Sequence, residues 1–226
     1  HRDLHLSIRR QRQMCIRDSP VGVLLGVGAT LTPFSAREAF QELRPLSSEE
    51  RLTRMRNREM RDRILKSPNS DKAMDLLSPS RVRAITRWDR MYTFGPEVDY
   101  EPSEDRCVAN IAERSTRTAE EVAYDYLTEG LDHFLYCPVS NYVNGDLETT
   151  REMFLDSGTL CGLSDGGAHV GSVVDASMPT YLLTHWARDR SRGPKLPIET
   201  VVKAQTAETA ALARSPTAQE LSLIHI

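Results

Sequence analysis

Three apolar runs without a polar face set the terms for this chain. Val21–Val27 (VGVLLGV), His133–Val139 (HFLYCPV) and Thr159–Leu163 (TLCGL) are short and rich in branched or aromatic residues. A run of that length and character reads as a strand buried on both faces, as in a parallel sheet covered by helices. Helical text lies between the runs. Ser47 and Glu50 have S-x-x-E capping-box spacing, and Leu52, Met55, Ile64 and Leu65 fall on one side of a helix continuing to about Leu65. Thr118 and Glu121 form a second box, opening a helix with an apolar face of Val122, Ala123, Tyr126 and Leu127 that Gly130 stops. Asp146 is placed to cap a helix from Leu147 to about Asp156, ended by Gly158. Two further helices read in MPTYLLTHWARDR and PIETVVKAQTAETAALA, with Pro197 as the first residue of the second. Strands alternating with helices over short connections predict an α/β fold with parallel strands and flanking helices. RWDRMYTFG (Arg87–Gly95) reads either as a short strand or as an aromatic loop lining a site. So few strands do not close an eight-stranded barrel, which takes about 250 residues. A half barrel and an open doubly wound sheet both fit, and periodicity does not choose between them.

The two ends read differently from the rest. Leu221–Ile226 (LSLIHI), encoded as CTG TCT CTT ATA CAC ATC, has a reverse complement that in a shifted frame writes Met14-Cys15-Ile16-Arg17-Asp18 and then Ser19. An inverted repeat of this kind is the mark of a DNA adapter, not of protein physics, so residues 1–19 and 221–226 are read as adapter-derived and 20–220 as the protein proper. The 226-residue chain carries 29 basic and 32 acidic residues; without the five arginines and two aspartates of those ends the counts are 24 and 30, a formal net charge of −6. A mildly acidic chain gives no electrostatic reason to bind nucleic acid or an anionic membrane. No apolar run approaches the roughly 20 residues of a membrane span. Six arginines between Arg51 and Arg63 alternate with Glu59 and Asp62 and follow Glu49 and Glu50, which reads as a solvated helix face laced with i,i+4 pairs. Cys107, Cys137 and Cys161 show no C-x-x-C spacing and read as buried small hydrophobes, in keeping with a reducing cytoplasm.

Chemistry concentrates in LCGLSDGGAHVGS, Leu160–Ser172. In either α/β architecture ligands gather at the carboxyl ends of strands. Asp165 stands just past an apolar run, at that end. Gly166 and Gly167 lack a Cβ and leave space beside its carboxylate, and His169 follows within reach of the same pocket. A carboxylate beside open space can take a proton from water, return it to a leaving group, or help hold a cation. The plainer reading of Asp165 is a turn or helix-cap residue, because S-D-G-G is common turn text. No G-x-S-x-G elbow, G-x-G-x-x-G loop or G-x-x-x-x-G-K-[ST] loop occurs. The histidines outside the ends are His133, His169 and His185, with no H-x-H or H-E-x-x-H pair, so no self-sufficient zinc site can be written. His185, beside Trp186, reads as a packing residue.

The run GLSDGGAHVGSVVDASMPTYLLTHWARDRSRGPKLPIETVVKAQTAETAAL (Gly162–Leu212) resembles the last-strand region of the metal-dependent amidohydrolase superfamily, in the branch of the N-acyl-D-amino-acid deacylases. PVGVLLGV, RWDRMYTFG, VDYEPSEDRCVANIAER, YDYLTEG and FLYCPVSNYVNGDLETTREMF resemble the same branch, so the likeness covers nearly all of Pro20–Leu212. It implies the C-terminal half of a (β/α)8 amidohydrolase barrel and a small-molecule substrate with a scissile amide. It also implies zinc as cofactor, with Asp165 both at the metal and as the general acid and base. Ser164, Gly166, Gly167 and His169 match the loop around the substrate. The family's H-x-H pair and its later histidine ligands have no counterpart in this sequence, and Ala213–Glu220 (ARSPTAQE) departs from the family's glycine-rich continuation. The expectation is a piece of such an enzyme, inactive alone, with open apolar edges that promote self-association. A cyclic-amide or lactone hydrolase of the same superfamily and a non-catalytic α/β binding module are the alternatives. The acyl group, the amino acid and the oligomeric state are not legible.

Overall fold

The computed structural model describes residues 21–29, 31–75, 77, 85–96, 99–142, 144–161 and 177–212. The adapter-like ends and the octapeptide Ala213–Glu220 lie outside them. The chain divides into two compact units, one formed by residues 22–140 and the other by residues 1–21 with 141–226.

The first unit is mixed α/β. Strands β1 (Val21–Gly26), β2 (Tyr92–Phe94) and β3 (Phe134–Ser140) form a three-stranded sheet in the order β1-β3-β2. β2 runs antiparallel to β3, pairing Tyr92 with Tyr136 and Phe94 with Phe134. Gly22 of β1 lies against the Tyr136 ring and Gly26 against the Phe134 ring. Residue numbers rise along β1 as they fall along β3, so this pair is antiparallel too. The expected parallel strands are therefore corrected: the described residues form an antiparallel sheet and no barrel. The cause is the aromatic segment Arg87–Gly95, one of whose two readings was a strand. It supplies β2, which returns alongside β3 and fixes the register through aromatic cross-strand pairs. β1 is not buried on both faces either. Leu25 and Val27 are in the core, whereas Leu24 is 44% exposed.

Helices α1 (Glu38–Gln41), α2 (Ser48–Met55), α3 (Arg58–Lys66), α4 (Asp71–Asp75), α5 (Val108–Ser115) and α6 (Ala119–Leu127) complete this unit. Both capping boxes form: Ser47 Oγ accepts from Glu50 N while Glu50 accepts from Ser47 N, and Thr118 with Glu121 repeats the exchange. The single helix expected from Ser47 to Leu65 is two. Asn57, in extended backbone, accepts from the N–H groups of Glu59 and Met60 and starts α3 afresh. Leu52 and Met55 of α2 and Ile64 of α3 are buried with Leu25, Phe34, Leu127 and Leu135 in one apolar cluster. Each such side chain contributes about 1.5–3 kcal/mol by leaving water.

Three of the six arginines between Arg51 and Arg63 act as ties to other parts of the unit. Arg51 donates to the carbonyl oxygens of Val27 (2.8 Å), Leu43 (3.2 Å), Arg44 (3.2 Å) and Leu46 (3.1 Å). Arg56 donates to those of Thr128 (2.8 Å) and Glu129 (2.6 Å). Arg61 grips Asp125 with two parallel bonds, Nε to Oδ1 at 2.7 Å and Nη2 to Oδ2 at 3.1 Å.

The second unit is helical among the described residues. Helix α7 (Glu148–Leu155) has Leu147 as its cap residue with no side-chain cap, so the cap expected of Asp146 does not form; Asp146 stands one residue earlier, where its Oδ1 accepts from Glu148 N at 3.0 Å. Helix α8 (Met178–Tyr181) passes directly into the π-helical segment Leu182–Asp189. Helix α9 (Ile198–Lys203), preceded by Pro197 as its cap residue, passes into the π-helical segment Ala204–Glu208 and then α10 (Thr209–Leu212). The strand expected at Thr159–Leu163 is not one over its described part, since Thr159–Cys161 pair with no strand. No helix among the described residues is long and apolar enough to cross a membrane.

Candidate functional site

Asp165, Ser164, Gly166, Gly167 and His169 all lie outside the described residues, within the stretch 162–176. What the structure describes is the frame at its two ends. Thr209 Oγ1 donates to the carbonyl oxygen of Cys161 at 3.3 Å, immediately before the stretch. Gln205 Nε2 donates to the carbonyl oxygen of Pro179 at 3.4 Å, just after it. Gln205 and Thr209 are one turn apart along one continuous helix, so a single helical face holds both ends. Thr209 Oγ1 also lies 3.1 Å from the carbonyl oxygen of Ala204, five residues back, as the wide π turn permits. Neither residue stands out in the sequence as functional. The available signal is a pair of polar side chains four apart in the helical run AQTAETAAL.

Aromatic packing supports the same frame. The His185 ring stacks on Tyr181 at 5.0 Å with an interplanar angle of 9° and meets Trp186 edge-on at 5.3 Å. Trp186, fully buried, stacks on Phe154 at 6.4 Å. The Arg190 guanidinium lies 4.9 Å from the Trp186 ring centroid, and its Nη2 donates to Glu148 Oε1 at 2.7 Å. The histidine thus sits in ring contacts, as its neighbour in the sequence implied.

A second concentration of polar groups belongs to the first unit. Glu101 is 2% exposed, a buried carboxylate that sequence reading passed over, and its backbone N–H donates to Asp99 Oδ1 at 2.9 Å. Phe94 packs on Tyr100 at 5.7 Å and on Tyr136 at 5.6 Å. Cys107 donates from Sγ to the carbonyl oxygens of Trp88 (3.7 Å) and Asp89 (3.6 Å). Burial pushes the Cys137 thiol up to about 11, which keeps it protonated and unreactive at neutral pH. Burial likewise raises the Tyr126 phenol. Arg87 beside Asp89 holds that carboxylate below its ordinary range. His133 contacts Glu129 Oε2 from Nε2 at 3.2 Å and Asp132 Oδ1 from Nδ1 at 3.0 Å, and it lowers the Asp132 pKa.

Among the described residues, no group of three or more His, Cys, Asp or Glu side chains is placed to hold a metal ion. No protein-family model, curated protein or solved structure matches the chain.

Proposed function

We propose that this chain carries the acid–base segment of a hydrolase that cleaves the amide bond of N-acyl-D-amino acids. Asp165 takes a proton from the attacking water and returns it to the leaving amine. Ser164, Gly166, Gly167 and His169 line the bound substrate. The observation that carries this reading is the sequence run Gly162–Leu212, with S-D-G-G-x-H directly after an apolar segment. Gln205 and Thr209 reach the chain on either side of that run, at Pro179 and Cys161. Three buried thiols suit the cytoplasm as the working compartment.

The test joins this sequence to an N-terminal half containing an H-x-H strand and assays N-acyl-D-amino acids against their L counterparts. The D substrates turn over, and Asp165→Asn lowers kcat by roughly 10²–10⁴-fold. An unchanged rate in that variant ends the acid–base assignment. Preferential turnover of hydantoins or lactones ends the substrate assignment alone.

A further inference from the structure

The loop leading into α7 contains the one asparagine of this sequence that is followed by glycine, Asn144-Gly145. Asn144 is exposed. Among the described residues, neither its side-chain amide nor the Gly145 N–H has a hydrogen-bond partner. Gly145 has φ +72°, and nothing lies within 4 Å of where a Cβ would stand. The nitrogen of residue 145 is therefore uncommitted beside an unbonded carboxamide, and its own Cα carries no side chain to crowd the approach.

The other asparagines differ in each respect. The Ser70 N–H that follows Asn69 donates to the carbonyl oxygen of Ala36 at 2.8 Å. Asn57 is occupied capping α3, and Asn110, inside α5, donates to the carbonyl oxygen of Glu104 at 2.9 Å. Asn141 precedes the bulky Tyr142, which is buried.

We propose that Asn144 is a self-modification site whose carboxamide is attacked by the Gly145 nitrogen. The nitrogen loses its proton to solvent base, a bond forms between it and Asn144 Cγ, and the Cγ–Nδ2 bond breaks to release ammonia. Water then opens the cyclic imide at either carbonyl, leaving an aspartyl or an isoaspartyl residue at position 144. No oxidant or metal takes part. The product adds one negative charge, and the isoaspartyl form adds a methylene to the main chain. Two contacts lie directly downstream: the carbonyl oxygen of Gly145 accepts from Arg192 Nη1 at 2.9 Å, and Asp146 Oδ1 accepts from Glu148 N at 3.0 Å. The isoaspartyl form shifts both.

The experiment incubates the full chain at mildly alkaline pH and maps its peptides by mass over time. The peptide containing Asn144 gains about 1 Da and separates into two isomers, one a substrate for isoaspartyl methyltransferase. Asn144→Gln abolishes the gain, and the reaction runs at least as fast in the folded chain as in urea. An unmodified Asn144 peptide, earlier modification of Asn69, or protection of Asn144 by folding overturns the proposal.

Discussion

Arg190, whose side chain has no solvent exposure, is paired with Glu148, whose side chain is 41% exposed, across 42 positions of sequence at 2.7 Å. The pair ties the start of α7 to the chain following the π-helical segment Leu182–Asp189. Gly193 makes room for it, since a Cβ there would stand 2.3 Å from Glu148 Oε1 and 2.6 Å from Arg190 Nη2. Glu148→Ala removes a charge-assisted bond from a buried guanidinium and costs about 2 kcal/mol. Glu148→Gln keeps an acceptor and costs about 1 kcal/mol. Urea unfolding of the two variants measures the difference, and equal losses would show that the charge of Glu148 is irrelevant to the tie.

The two capping boxes make stability depend on acid. The backbone N–H of Ser47, first among its causes, lowers the Glu50 pKa below 4.5, and that of Thr118 does the same for Glu121. A carboxylate whose folded pKa is depressed stabilises the fold above its unfolded value and loses that contribution as pH falls through the folded one. The midpoint of thermal unfolding therefore declines below about pH 4.5, and Glu50→Gln with Glu121→Gln flattens the decline.

Cys107, Cys137 and Cys161 are buried thiols. Alkylation of these three thiols in the native state at neutral pH proceeds only through unfolding. Their labelling therefore accelerates together with the denaturant transition of the unit that holds each one. Rapid labelling of Cys137 in the folded chain would contradict a thiol raised to about 11.

Thr116 closes α5 in the left-handed region at φ 53°, and the next N–H, of Arg117, returns to the carbonyl oxygen of Ala112 at 3.1 Å. That is the place where glycine normally sits. Thr116→Gly relieves the Cβ clash at some cost in chain entropy, for a net gain of about 0.5–1 kcal/mol. Denaturant titration of the variant reads the gain, and a loss would mean that the threonine side chain is held.

Local signals in the sequence carried well. Ser47 with Glu50, Thr118 with Glu121, and Asp146 before Glu148 each satisfy backbone donors within a few residues, so their geometry depends on nothing distant. Asn57 is also a local signal, but its position inside an apolar period masks it, and the period then reads as one helix. Strand direction was not legible, because a fully apolar run such as Val21–Val27 reads the same whichever way its neighbour points. The arginines of α2 and α3 follow the same logic. Spacing shows which partners lie within a turn, whereas Arg61 finds Asp125 64 residues away. For the candidate site, the residues to which the chemistry is assigned stand out by their own text and lie outside the described residues. Gln205 and Thr209, which hold the ends of that stretch, carry no motif at all.

The Arg51 clasp has a consequence for how this protein meets a common solvent. Guanidinium chloride is the Arg51 head group set free and offered at molar concentration. The oxygens of Val27, Leu43, Arg44 and Leu46 thus face a competitor of the same shape and charge as their native donor. Urea shares the planar amino groups but not that charge. The corner where β1 ends beside α2 is accordingly the part of the molecule at which the two denaturants part ways.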